Sequence, residues 1–235
     1  MLFLKFGKEE HLQQLKDGIV HFRPLSSFVG DSTCFRGDRL EGRLLLDLNH
    51  PFLIDGVDFA PYAKEIVLSY DGFDSVLSFS AAMLNHDNCH ITKDGLFTPN
   101  DDFIEEMIQF GDHVLIFRAE DFIWKLREKL KIHKCNCLYH PIFYCDKTDH
   151  VAISKYFEDK RNEGSPPDPY DYCFIKDRIP YSKQNEWRII IDDFNNEFPI
   201  EPNGGVNIVT SFRSKIPVFE TQLLKTLRAS EEYLR

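Results

Sequence analysis

The chain has little glycine and proline, 12 of each in 235 residues, which argues against collagen-like and low-complexity architectures. It is also short of positive charge: 28 Lys and Arg stand against 38 Asp and Glu, a formal net charge of -10 with a pI near 5.4. Proteins that grip a long phosphate backbone do so with a surplus of Lys and Arg that displaces counterions. A whole-surface nucleic-acid binder is therefore disfavoured, whereas a local basic pocket is not. No apolar run approaches the roughly 18 residues that a membrane-spanning helix needs. Met1 to Lys5 does not begin the basic, apolar and small-residue succession of a secretory leader. The expectation is a cytoplasmic protein with no membrane partner. The six cysteines, at 34, 89, 135, 137, 145 and 173, are then expected as reduced thiols. There is no Walker phosphate loop, no Gly-x-Gly-x-x-Gly helix start and no Gly-x-Ser-x-Gly elbow, so kinase, Rossmann and hydrolase readings lack their motifs.

What is present, 43% hydrophobic and 28% charged residues, suffices for a core within one enlarged domain across residues 1–235. Residues 2–6 read as a strand, 8–16 as a helix stopped by Gly18, and 19–23 as a second strand broken by Pro24. Residues 31–42 hold charges between glycines with no hydrophobic period and read as an exposed loop. Residues 65–70 and 75–80, separated by a Gly-containing turn, predict an antiparallel hairpin. Asp102 and Glu105 have the spacing of a capping box at the head of an amphipathic helix that Gly111 stops. A second helix follows around Phe122, Leu126 and Leu130, and Pro141 confines the run 137–145 to a sheet edge or a bulge. Prolines and Gly164 make 161–172 a loop, residues 186–192 form a strand for which 205–210 is the expected partner strand, and 218–234 predicts a terminal helix. Many strands mixed irregularly with a few helices predict an α+β fold of split antiparallel or mixed sheets with flanking helices.

The most informative stretch is Gln184 to Ile191. Alternation places Trp187, Ile189 and Ile191 on one side and Glu186, Arg188 and Ile190 on the other, with Gln184 two residues earlier on the Glu186 side. A carboxylate and a guanidinium thus emerge together at a strand start. By itself this reads first as an exposed or half-buried structural ion pair next to a turn, ahead of a site.

Several short motifs resemble a bacterial family catalogued only as a domain of unknown function. They are Phe22-Arg23-Pro24-Leu25-Ser26-Ser27-Phe28 after a strand-helix-strand start, Glu41-Gly42 closing a loop, Ser78-Phe79-Ser80 on a strand, and Glu186-Trp187-Arg188. At greater distance the layout is similar to ADP-ribosyltransferases, whose signature is an Arg or His on an early strand, a Ser-rich strand, and a Gln or Glu two residues before a catalytic Glu. That resemblance implies NAD as substrate, Glu186 and Gln184 as catalytic residues, and Ser78, Phe79 and Ser80 at the NAD. One of Lys5, His21 or Arg23 would be the first-motif residue. It further implies an unidentified protein or nucleic-acid acceptor and a toxin or phage-defence role, with an antitoxin-like partner. The chemistry is coherent: cleaving nicotinamide from ribose develops positive charge on the sugar, which a carboxylate stabilises in the transition state. Gln184 would orient the acceptor, and an Arg would clamp the pyrophosphate. Tyr70, Phe79 and Tyr181 are candidates for stacking on the nicotinamide. A carboxylate in such an open cleft is expected to tolerate Glu186→Gln with little change in melting temperature.

Two other classes compete. One is a non-catalytic binding or interaction module of the same fold. The other is a metal-dependent nuclease using Asp38, Glu41 and Glu186 with Lys183. His133, Cys135, Cys137, His140 and Cys145 crowd together, but two cysteines two apart with no second pair do not make a zinc knuckle, so no metal is expected there.

Overall fold

A computed structural model describes residues 1–32, 37–47, 53–54, 56–69, 72–73, 76–162, 164, 168–192, 198–202 and 204–234. The opening follows the expected order: β1 (Leu2–Gly7), α1 (Glu9–Lys16) and β2 (Ile19–Pro24). Gly18 turns the chain between α1 and β2 at φ 88°, where a Cβ would lie 2.6 Å from the Phe212 carbonyl oxygen, so only glycine fits. Next come β3 (Val76–Met83), α2 (Asp101–Met107), β4 (His113–Arg118), α3 (Ala119–Ile132), β5 (Asn136–Pro141) and α4 (His150–Asn162). The later strands are β6 (Glu186–Asp192), β7 (Val206–Val209) and β8 (Phe219–Glu220).

These eight strands form one antiparallel sheet in the order β5-β6-β3-β1-β4-β8, with β2 as a third neighbour of β3 and β7 paired to β2. The fold is therefore α+β, with smaller two-stranded sheets beside it, one of them parallel (Phe143–Cys145 with Ile175–Asp177). The sheet forks at β3. One edge of that strand pairs with β6 from Ala82↔Glu186 to Val76↔Asp192. The other pairs first with β2, at Leu77↔Pro24 and Ser78↔Arg23, and then with β1, at Ala82↔Leu4 and Met83↔Phe3. Residues 79–81 of that edge lie in the gap, and α1 links the two prongs.

Alternation along the strands sends side chains to both faces. Phe3, Leu115, Phe117, Trp187, Ile189 and Ile191 join α1 and α3 through Leu12, Leu15, Phe122 and Leu126. Leu4, Phe6, Val114 and Ile116 meet α2 and the C-terminal segment through Phe103, Ile104, Met107 and Leu224. Ile190, opposite in sense to its neighbours, packs with Leu25 and Phe174. β5 lies at the sheet edge, where Pro141 is tolerated.

Several expectations are corrected. The stretch expected as an exposed loop at 31–42 buries Asp38, Leu40 and Glu41, and β7 pairs with β2 rather than with β6. Residues 65–80 do not form a hairpin: Glu65–Ser69 pairs with Arg43–Asp47, while β3, buried over nearly its whole length, enters the main sheet. Residues 70–71 and 74–75 lie outside the described residues. The capping box at Asp102 is absent, because the helix begins after Asn100, whose side chain is engaged with His90 and the Asp87 carbonyl. No terminal helix spans 218–234. Short 3-10 segments at Thr221–Thr226 and Glu231–Tyr233 flank an extended stretch in which Ala229 and Phe97 exchange backbone hydrogen bonds at 2.8 and 2.9 Å. The loop expected at 161–172 is narrower: α4 runs through Asn162, and Pro169 opens a 3-10 turn capped by Asp168, while residues 163 and 165–167 lie outside the described residues.

Candidate functional site

The fork opens a cleft of about 630 Å³, within the range of about 300–1,000 Å³ usual for small-molecule sites. Lys5, His21, Arg23, Ser78, Phe79, Ser80, Gln184 and Glu186 all line it. β1 contributes one prong and β2 the other. The root is β3 with the start of β6.

Glu186 is the most connected of these groups. Its Oε1 accepts from Ser80 Oγ at 2.5 Å and from Arg188 Nε at 2.9 Å, and its Oε2 accepts from Lys176 Nζ at 2.8 Å. Its backbone N–H donates to the Tyr144 hydroxyl at 3.0 Å, anchoring the strand start. Arg188, 2% exposed, also forms a two-pronged pair with Glu41 at 2.6 and 3.2 Å. Lys176, from the strand Ile175–Asp177, stands 3.8 Å from Glu41 and over the Tyr181 ring. Two carboxylates and two cations therefore share one buried cluster. Burial by itself would raise the Glu186 value, but Arg188 and Lys176, with the Lys176 and Ser80 hydrogen bonds, hold the carboxyl well below the usual range. Burial lowers and the two glutamates raise the Arg188 value, for a net increase. Glu186 is thus an ion-paired, positioned carboxylate rather than a free one, and the expectation that Glu186→Gln is thermally silent does not survive.

Gln184 is not on the strand. It ends a 3-10 turn, and Asn185 in the left-handed conformation (φ 45°) separates it from Glu186. That kink, not strand alternation, is what brings Gln184 to the cleft. Ser78 Oγ is buried and has no hydrogen-bond partner among the described residues. Arg23 lies opposite Ser78 in register, with its guanidinium 4.9 Å from the Phe28 ring centre. Lys5 Nζ bonds the Ser80 carbonyl in the gap and sits 4.6 Å above the Phe79 ring. Phe79 packs between Phe22 and Phe122, so it is a core ring at the cleft floor rather than an open stacking face. Tyr181 bonds the Gly37 carbonyl through its hydroxyl, and Tyr70 lies outside the described residues.

Sequence reasoning missed Lys8, Lys176, Glu201 and Asn207, which also line the cleft. Lys176 has no motif around it. The other three are brought in by α1 and by the pairing of β7 with β2, which no local spacing reveals. Among the described lining residues, Lys5, Lys8, Arg23, Lys176 and Arg188 stand against only Glu186 and Glu201. The cleft is cationic in a chain of net charge -10.

The other carboxylates singled out in the sequence are engaged elsewhere. Asp38 pairs with the buried Lys147 at 2.9 Å and Glu41 with Arg188, while Lys183 is exposed. Among the described residues no three of His, Cys, Asp and Glu are grouped as metal ligands. His133 lies tilted against the Phe198 ring, His140 meets the Phe174 ring edge-on, and Cys145 is buried. No described helix is long and apolar enough to cross a membrane. Comparison with protein-family models, with curated proteins and with solved structures finds no match to this chain.

Proposed function

We propose that the fork cleft binds NAD as a substrate and that the chain transfers its ADP-ribosyl group to a protein or nucleic-acid acceptor. The observation that carries this reading is the unpartnered Ser78 hydroxyl, buried opposite Arg23 and beside the Ser80–Glu186 pair. A buried hydroxyl without a partner costs about 1–3 kcal/mol, and a ligand oxygen or amide in the cleft relieves it. The excess of Lys and Arg suits a pyrophosphate, with Arg23 on one prong and Lys5 on the other. Glu186 meets a ribose hydroxyl as an acceptor, its orientation held by Ser80, Arg188 and Lys176.

One observation favours a second reading, a nucleotide-binding module without turnover. Lys176 and Arg188 neutralise the carboxylate that would face the positive charge developing on the sugar. NAD titration with a thermal melt and a nicotinamide-release assay separates the two. Saturation at 100 times Kd adds about 2.7 kcal/mol of stability. A raised melting temperature with release of nicotinamide is expected. A raised melting temperature without release selects the binding module, and no shift at millimolar NAD refutes both.

A further inference from the structure

β7 lies antiparallel on β2 so that Asn207 stands directly opposite His21. His21 Nδ1 and Asn207 Oδ1 are 2.8 Å apart, and Asn207 Nδ2 donates to Glu201 Oε1 at 2.9 Å. All three side chains line the cleft. The chemistry of donors and acceptors fixes the orientation of each. A carboxylate only accepts, so the amide nitrogen of Asn207 must meet Glu201, and its carbonyl oxygen must then meet His21. That oxygen is itself an acceptor and requires the hydrogen on Nδ1. Neutral His21 therefore carries its lone pair on Nε2, which has no hydrogen-bond partner among the described residues.

The ring is also held in place. A turn presents Glu201, with the Glu201 N–H donating to the Gly205 carbonyl at 2.7 Å and the Gly204 N–H to the Glu201 carbonyl at 2.8 Å. A Cβ on Gly205 would lie 2.6 Å from His21 Cε1 and 2.8 Å from Nε2, so the backbone presses on the imidazole where no side chain fits. Along β2, His21 and Arg23 share the cleft face, while Val20 and Phe22 enter the core. Continuing the register beyond Arg23↔Ser78 would set His21 opposite Ser80, but the sheet forks there. His21 thus stands on the β2 prong, and the Ser80–Glu186 pair lies at the root of the fork.

We propose that His21 is the general base for the nucleophile in this cleft, with Asn207 and Glu201 as the positioning residues that lock its tautomer. The inference rests on the NAD reading above. A hydroxyl or water held in the cleft gives its proton to His21 Nε2, and its electron pair forms the bond to the anomeric carbon of the ribose. The bond from that carbon to the nicotinamide nitrogen breaks, and its pair stays on the ring, which leaves as neutral nicotinamide. The imidazolium so formed is stabilised by the Asn207 carbonyl and, behind it, the Glu201 charge.

The test uses the full chain with NAD, scoring turnover, binding and tautomer separately. His21→Gln is expected to lower kcat for nicotinamide release about 10²–10⁴-fold with KM for NAD within about threefold. Asn207→Leu is expected to lower kcat with the same unchanged KM. Imidazole nitrogen NMR is expected to show the Nδ1–H form in the wild type and a mixture of tautomers in Asn207→Leu. Unchanged kcat in His21→Gln while the wild type consumes NAD, or an Nε2–H form in the wild type, overturns the base and leaves the NAD reading standing. A wild-type chain that does not bind NAD overturns that reading and the step built on it.

Discussion

Replacing Glu186 by Gln removes one charge from a buried set of four. The carboxylate accepts from Ser80, Arg188 and Lys176 and is itself only 7% exposed. Glutamine keeps one acceptor oxygen and turns an NH2 donor toward either Lys176 or Arg188, both donors. It also leaves those two cations with Glu41 as their only carboxylate in the cluster. Breaking a buried ion pair by removing one partner costs about 3–5 kcal/mol. For a chain of this length each kcal/mol moves the melting temperature by about 2–4 °C, so a loss of about 6–20 °C is expected. The pH dependence carries a sign. The folded carboxyl titrates below its ordinary value of 4.5, so its stabilisation is complete above that value and is lost as pH falls through the folded-state value. The melting gap between wild type and variant is therefore full at neutral pH and closes on acidification below about pH 4.5. Thermal melts of both proteins across that range make the measurement. A gap under about 3 °C at neutral pH, or one that widens in acid, refutes the coupled cluster.

The Trp187 ring is buried against Phe3 at 4.9 Å and Tyr139 at 5.4 Å, so Trp187→Ala should lose about 3–5 kcal/mol in a denaturant titration; an unchanged midpoint would mean that the strand faces are reversed. Gly42 sits at φ 62°, with the position of an added Cβ only 2.1 Å from Phe73 Cε2. Gly42→Ala should therefore cost about 1–3 kcal/mol and, by shifting the adjacent Glu41, loosen its pair with Arg188. A melt equal to wild type counts against it. Burial pushes the Cys173 thiol up to about 12 and that of Cys145 up to about 11, so near neutral pH iodoacetamide should label both only as fast as the chain opens. Rapid labelling of the native protein would contradict their burial.

The elements legible in the sequence were those whose signal is local. The β6 alternation separates Trp187, Ile189 and Ile191 from Ile190 because a strand's period of two survives any packing. The α1 stop at Gly18 was legible because helix termination is decided within a few residues. The failures came where a distant partner outweighed a local preference. Leu223, Leu224 and Leu227 have helical spacing, yet only Leu224 is fully buried, and the pairing of Ala229 with Phe97 extends the chain that a helix would have shortened. The Gly-containing stretch 71–74 suggests a hairpin, but a strand as apolar as Val76–Met83 belongs in a sheet centre, where neighbours on both edges bury it.

The site divides along the same line. Ser80 with Glu186, and Arg23 with Ser78, were readable as residue types on strands, and the register brings both pairs together. Their charge balance was not readable, because Lys176 reaches Glu186 from a separate two-stranded sheet, and Glu41 reaches Arg188 across 147 positions of chain. The same limit hid Asn207 and Glu201, which the pairing of β7 with β2 and the turn before β7 bring to His21. A motif specifies which groups are present, whereas protonation and tautomer depend on the second layer of partners. In this chain that second layer fixes the state of both groups. Lys176 and Arg188 make Glu186 a fixed anion, and Asn207 leaves the lone pair of a neutral His21 on Nε2, so the reaction proposed above assigns its base to the imidazole rather than to the carboxylate.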